Sequence, residues 1–181
     1  MYFYPLNGLF KMILKQFKLA LITLLSTVML QGCGIYSFTG GDVGTAKSFQ
    51  VNFFQNRAPI VEPGIDRTFT QDLQDLIQNQ TNLELTNSNG DLIYEGEITS
   101  FNIAPMSATA NQTAAQNRLT IAINVRFINN TKEEDDFERK FSFYYDYPAA
   151  QQLVGSTLDS AIEVIYERIT QDVFNASLAK W

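Results

Sequence analysis

Few side chains in this 181-residue chain can do chemistry. It has no His, so the commonest general base and the commonest metal ligand are both missing. Its single Cys, Cys33, excludes an intrachain disulfide and a cysteine-only zinc site. Glu95 and Glu97 share one strand face, about 7 Å apart by strand geometry. Paired carboxylates can hydrolyse glycosides, but they need a cleft and a raised pKa, and a flat polar sheet offers neither. The run Glu133, Glu134, Asp135, Asp136 lacks the Gly and the alternating ligand spacing of a calcium loop. A solvated hairpin tip is the expected reading, with charges that discourage edge pairing. No Gly-rich phosphate loop, no Gly-x-Ser-x-Gly elbow and no nucleophile with a His partner exists.

Cys33 does have a context. Lys11, Lys15 and Lys18 precede an uncharged run of twelve residues, Leu19 to Leu30. That run is short of the roughly 20 residues a transmembrane helix needs, and it fits the apolar core of a secretory signal peptide. It ends Leu30-Gln31-Gly32-Cys33, the pattern of a bacterial lipobox. The thiol is expected to take a diacylglyceryl group and, after cleavage, an N-acyl chain. No other cofactor is expected. Tyr2, Phe3, Tyr4 and Pro5 are unlike a signal-peptide start, and Met12 is the better initiation point. The expected organisation is a signal peptide over 1–32, a lipidated tether over 33–46 and one domain over 47–181. Two or three acyl chains would make the membrane attachment effectively permanent. Gly34, where a retention signal would place Asp, leans toward the outer membrane.

Residues 1–32 hold three Lys and no acid, so the overall charge of −6 becomes −9 from Cys33 onward. An acidic chain with few bases is a poor nucleic-acid ligand. The 45% apolar fraction is ordinary for a globular protein.

Periodicity supplies the elements. Lys47 to Phe54 alternates, with Phe49, Val51 and Phe53 on one face, as in a half-buried strand. Phe69, Leu73, Leu76 and Ile77 form a helical stripe, and Thr68-Phe69-Thr70-Gln71 reads as its capping box. Leu83 to Thr86 is a short strand, with Asn89-Gly90 as a hairpin turn before the next strand, Leu92 to Ile103. That strand changes apolar phase between Tyr94/Ile98 and Phe101/Ile103, which predicts a bulge near Gly96 to Ser100. Leu119 to Phe127 and Phe137 to Tyr147 alternate clearly, the second with Phe141, Phe143, Tyr145 and Tyr147 inside. A helix follows from about Thr157 to Leu178, with Leu158, Ile162, Ile165, Ile169, Val173 and Ala176 as its stripe. The sum is an α+β two-layer sandwich: two helices packed on one face of a four- to five-stranded mixed sheet. The first strand–helix–strand unit should pair its strands in parallel, and the last four strands should form two hairpins.

The other sheet face is polar: Ser48, Gln50, Asn52, Thr99, Thr120, Asn124 and Ser142. Placing Phe127 opposite Phe137 sets Arg126 against Glu138 and Arg118 against Asp146. Cross-strand ion pairs then account for most bases on this face. The sharper alternative is contact with an anionic ligand or partner through Arg118, Arg126 and Lys140. Asn111 and Gln112 join these candidates from the nearly uncharged loop Pro105 to Asn117. Asp159-Ser160-Ala161 matches a short O-glycosylation acceptor motif, although a structural helical Ser is the expected role.

Several runs carry a wider likeness. Gln31-Gly32-Cys33-Gly34-Ile35-Tyr36-Ser37-Phe38-Thr39-Gly40 is similar to the mature start of the LptE family as found in Bacteroidota. Phe54-Gln55-Asn56-Arg57-Ala58-Pro59, Gly90-Asp91-Leu92-Ile93-Tyr94-Glu95-Gly96-Glu97-Ile98 and Thr113-Ala114-Ala115-Gln116-Asn117-Arg118-Leu119-Thr120 also resemble that family, as does the end of the chain, Asp172 to Trp181. The resemblance implies a non-catalytic outer-membrane lipoprotein that partners an LptD-type β-barrel as plug and assembly factor. It implies contact with lipopolysaccharide during export, and a place on the periplasmic side or within the barrel lumen. Proteobacterial relatives use basic residues for the lipopolysaccharide contact; no position here matches them, and only Cys33 carries over. The alternative is a lipoprotein that tethers and activates a periplasmic cell-wall enzyme, which usually needs a longer linker than the thirteen residues after Cys33. A lipid-anchored hydrolase is the weakest, for want of a nucleophile–base pair.

Overall fold

The computed structural model describes residues 14–18, 20, 41–106 and 115–179. The chain divides into two units, Met1–Phe38 and Thr39–Trp181. In the first, the described residues are helical and are labelled α1. Among the described residues no helix is long and apolar enough to cross a membrane.

The second unit contains β1 (Ser48–Val51), β2 (Gln55–Asn56), α2 (Ile65–Gln80), β3 (Glu84–Leu85), β4 (Leu92–Met106), β5 (Gln116–Asn129), β6 (Phe137–Pro148) and α3 (Ser156–Leu178). The sheet order is β3-β1-β4-β5-β6, with β2 also on β4. β1 runs parallel to β3 and to β4, while β4, β5 and β6 form an antiparallel meander. The two helices cover one face, giving the expected two-layer α+β sandwich. The parallel β1–α2–β3 unit is present.

Alternation located the long strands because each has one buried face. Leu119, Ile121, Ile123, Val125 and Phe127 of β5 are all buried, and they meet Ile165, Ile169 and Val173 of α3 in one core. The bulge expected in β4 lies between Ile98 and Ser100. The extra residue, Thr99, donates its hydroxyl to Ala122 O at 3.1 Å.

Four local expectations are corrected. First, the strand from Lys47 to Phe54 is broken. Phe49 and Val51 are buried, but Phe53 is 55% exposed and Phe54 is fully buried instead. Beyond Val51, opposite Tyr94, the chain takes one extra residue before Gln55 meets Glu97. The sixth strand segment comes from this interruption. Second, Asn89-Gly90 turns the chain but makes no hairpin, because β1 lies between β3 and β4. The connection crosses over Gln50, so close that a Cβ on Gly90 would sit 2.8 Å from the Gln50 Cβ. Third, the capping box does not form. Helix α2 begins at Ile65, one turn early, after Gly64 in a left-handed conformation. The Thr68 hydroxyl donates to Gly64 O, and that of Thr70 donates to Asp66 O. Fourth, Ile103 is 42% exposed although its phase points inward. β4 spans about 45 Å at ~3.3 Å per residue, and α3 only about 35 Å, so the strand runs past its cover.

Gly96 marks the tightest contact. Its φ is +157°, and a Cβ there would lie 2.0 Å from Asn124 O and 2.8 Å from the Phe54 ring. Neither backbone nor a fully buried ring can yield. Gly96→Ala is therefore expected to cost about 2 kcal/mol or more, read as a drop of several degrees in the thermal midpoint with the folded secondary structure retained.

Candidate partner and ligand surface

The surface opposite the helices is built on the even-numbered residues of β5 and β6 and their neighbours on β4 and β1. Two of the bases there are ion-paired in place. Arg118 donates from Nε to Asp146 Oδ1 at 2.7 Å and from a terminal nitrogen to Oδ2 at 2.8 Å. Its guanidinium carbon also lies 3.6 Å from the centre of the Tyr144 ring. The two-pronged bond to Asp146 raises the Arg118 pKa above its ordinary value. The same bond holds the Asp146 carboxyl below the usual carboxylate range. Arg126 stands opposite Glu138 in register, as expected, but its ion partner is Glu95 on β4, at 3.3 Å. Glu138 instead accepts from the Asn124 amide at 2.8 Å. Lys140 is exposed, sits opposite Asn124 and makes no ion pair among the described residues.

Thus Arg118, Arg126 and Lys140 share one face, yet only Lys140 offers an uncommitted charge. Glu95 also accepts from Asn52 at 3.1 Å, so the carboxylates Glu95 and Glu97 line no cleft. Among the described residues no group of three or more acidic or sulfur side chains is placed to hold a metal. Glu133–Asp135 form a short 3-10 turn, where Lys132 reaches Glu134 at 2.9 Å and Asp135 at 3.3 Å. Cys33, Asn111 and Gln112 lie outside the described residues.

Two contributors escaped sequence reasoning. Tyr144 is 44% exposed on the polar face; its adjacency to Tyr145 was the available signal, since two neighbours on a strand cannot both point inward. Asp91 accepts from the backbone N–H of Lys47 at 2.8 Å and of Ser48 at 3.1 Å. These bonds, Lys47 foremost, lower its pKa and lock the crossing loop onto β1.

The ends of the domain differ. At the base, Asp42 N–H bonds Leu178 O at 2.7 Å, and a cavity of about 330 Å³ is lined by Asp42, Leu92, Asn129, Lys132 and Ser177 among others. The entering chain, the start of β4 and the end of α3 therefore meet there. At the other end, β4 and β5 pair out to Met106 and Gln116, each three residues beyond the expected strand limit, and Pro148 of β6 pairs with Gln116.

The domain is a two-layer α+β sandwich with a polar sheet face on which Arg118 pairs with Asp146 and Arg126 with Glu95. The chain belongs to the LptE family of lipopolysaccharide-assembly proteins, whose model matches residues 46–177. Membership makes this an assembly protein rather than an enzyme. No curated protein matches the chain in sequence. Among solved structures, the protein CT253 from Chlamydia trachomatis is similar at 9% identity and a TM-score of 0.47, over 71% of this chain and 94% of that one. A minor lipoprotein from Acinetobacter baumannii reaches 11% and 0.45, over 75% and 96%. The rare lipoprotein B from Shewanella oneidensis reaches 12% and 0.39, over 70% and 89%. At these values the likenesses carry no functional weight.

The Arg118–Asp146 bond has an acid signature. A carboxyl depressed in the fold contributes stability that is complete above its unfolded pKa and is lost as pH falls through its folded value. Asp146→Asn should be less stable than the parent at neutral pH. It should lose less between about pH 5 and pH 1, so thermal midpoints measured against pH converge at the acid end.

Proposed function

We propose that the chain is an outer-membrane lipoprotein of the Bacteroidota type, anchored through acyl chains on Cys33, that partners an LptD-type β-barrel. In this reading residues 1–32 are a signal peptide, 33–46 a tether and 47–181 the working domain. The polar sheet face and the β4–β5 tip meet the barrel, and lipopolysaccharide is the cargo the pair exports.

One observation carries the reading: the long β4–β5 hairpin runs out to Met106 and Gln116 at the end of the domain opposite its entry point. The base, where Asp42 joins Leu178, stays within reach of the anchor. Met106 and Gln116 hold the other end about 45 Å away at ~3.3 Å per residue. A plug needs this arrangement, with one end held at the membrane and the other free to enter a lumen. The sheet face suits a wet barrel interior, because it is polar and two of its bases, Arg118 and Arg126, are already paired, so that docking need not strand them. Lys140, Asn111 and Gln112 are then the residues available for contact with the barrel or with lipid phosphate.

Two experiments test this. Cys33→Ala should accumulate as a higher-mass precursor at the inner membrane; normal cleavage after Gly32 and normal fractionation would remove the anchor from the reading. Replacing residues 107–115 with a Gly-Ser link should leave the domain folded, because loop length costs little stability. In cells the shortened protein should co-purify with less barrel and should raise outer-membrane permeability to large hydrophobic antibiotics. Normal barrel recovery and an intact permeability barrier would show that the tip does not dock.

A further inference from the structure

The cavity of about 330 Å³ at the end where the chain enters has Asp42, Asn129, Lys132 and Asp135 among its polar lining and the buried Leu92 and Leu178 among its apolar lining. Small-molecule sites occupy about 300–1,000 Å³ and combine an apolar surface with a few placed polar groups. Asn129 is the lining residue whose chemistry points to a ligand. It is only 9% exposed. Its Oδ1 accepts from the backbone N–H groups of Thr131 and Lys132 and from the Thr131 hydroxyl, which fixes the orientation of the amide. Nδ2 carries two N–H donors and gives neither to a described residue. No buried side-chain nitrogen or oxygen among the described residues lacks a partner, so Nδ2 keeps part of the small surface through which Asn129 lines the cavity. Asp42 is held in the same lining by its own N–H, bonded to Leu178 O at 2.7 Å, and its Oδ1 accepts from the Gly44 N–H at 3.1 Å. A carboxylate has further acceptor sites.

We propose that this cavity binds an uncharged sugar, whose hydroxyls accept from the Asn129 amide and donate to the Asp42 carboxylate. Charge selects the class. An anionic ligand would meet the carboxylates of Asp42 and Asp135, while the one base of the lining, Lys132, is already held by Glu134 at 2.9 Å and Asp135 at 3.3 Å. Phosphorylated sugars therefore fall outside the class. A cationic ligand would set its charge beside the Lys132 ammonium and would offer the Asn129 donors no acceptor. An apolar ligand would cover those donors without a partner, which costs free energy. A hydroxyl both donates and accepts, so neighbouring ring hydroxyls answer an amide and a carboxylate together. The C–H face of the ring packs on Leu92 and Leu178. Both polar groups are fixed by bonds of the fold before a ligand arrives, so little ordering is needed on binding. The cavity lies at the end opposite the β4–β5 tip. It can be filled while the tip meets a barrel, and the proposal does not depend on that partnership.

The test titrates the full protein, extracted from membranes in a detergent without sugar headgroups, with glucose, N-acetylglucosamine and glucose 6-phosphate, read by saturation-transfer NMR. At least one of the two uncharged sugars should bind saturably with a Kd of about 1–10 mM, and glucose 6-phosphate should bind more weakly. Asn129→Asp keeps the oxygen that accepts from Thr131 and Lys132 but removes both donors. Asp42→Asn keeps an acceptor for the Gly44 N–H but removes the carboxylate. Each variant should raise the Kd about tenfold or more with circular dichroism unchanged. If Asn129→Asp disturbs the turn it supports, Asp42→Asn reads the same site alone. Three results would overturn the proposal: no saturation by either uncharged sugar up to about 100 mM, glucose 6-phosphate bound as tightly as glucose, or a Kd that the folded variants leave unmoved.

Discussion

The missing side chain at Gly96 fixes more of this fold than any side chain present. It lets the Phe54 ring drop against the β4 backbone, within what would be 2.8 Å of a Cβ. Once buried, Phe54 packs edge-on to Phe69 at 5.0 Å, and Phe69 packs edge-on to Tyr166 at 5.2 Å. Sheet, α2 and α3 are thus joined by three rings. Polar groups follow the same path. The Phe54 N–H donates to the Thr70 hydroxyl, and the Tyr166 hydroxyl donates to Ile65 O at 3.1 Å. Burial pushes the Tyr166 pKa upward, so the phenol remains a neutral donor at the start of α2. The contacts of Phe54 with Phe69 could not form if β1 ran on unbroken, because the Phe54 ring would then point to the polar side.

That break also marks the limit of what the sequence reveals. β5, β6 and α3 were legible because their periods persist for twelve or more residues, long enough for one buried face to declare itself. At Phe53-Phe54 two equal apolar residues stand side by side. Alternation chooses Phe53; the one-residue slip against β4 chooses Phe54. The β3–β4 crossing was hidden for another reason. Asn89-Gly90 encodes a reversal, with Asn89 at φ +55°, but no local signal says that β1 lies between the strands it connects. Thr68 and Thr70 matched a cap by spacing, yet Gly64 had already started the helix a turn earlier. Of the candidate contacts, register placed Arg118 and Arg126 correctly. It missed Glu95 as the partner of Arg126, because β4 rather than β6 supplies the nearer carboxylate.

Charge is distributed by layer. On the sheet face Arg118 and Arg126 are held by Asp146 and Glu95. The helix layer pairs Arg168 with Asp172 but also gathers acids. Asp72, Asp75, Glu163 and Glu167 line one groove between α2 and α3, and the Asp72 carboxyl is raised by desolvation first, then by Asp75 and Glu163. An anionic cargo would be repelled from that groove. Among the described residues of the sheet face Lys140 is the base without an ion pair, and the carboxylates Glu97 and Glu138 make none either, so that face has no excess of positive charge.

The end of the domain where the chain enters is pinned by several bonds. The Tyr94 hydroxyl, in the middle of the sheet layer, donates to the Ser177 hydroxyl at 2.9 Å. Ser177 in turn donates to Val173 O. Asp42 N–H bonds the last carbonyl of the same helix, Leu178 O. A pull on the entering chain therefore loads α3 at its C-terminal turn, where the helix is pinned to Tyr94 in the core, and not the sheet edge. The crossing loop is held by a second set, Asp91 to Lys47 and Ser48 and Asn130 to Gly90 O. Both sets lie at the end where the chain enters, while at the opposite end Ala149 N–H bonds Ala115 O and the Gln151 amide donates to the Thr157 hydroxyl at the start of α3. The bonds are thus concentrated where the chain enters, away from the end where β4 outruns α3 and Ile103 stands 42% exposed.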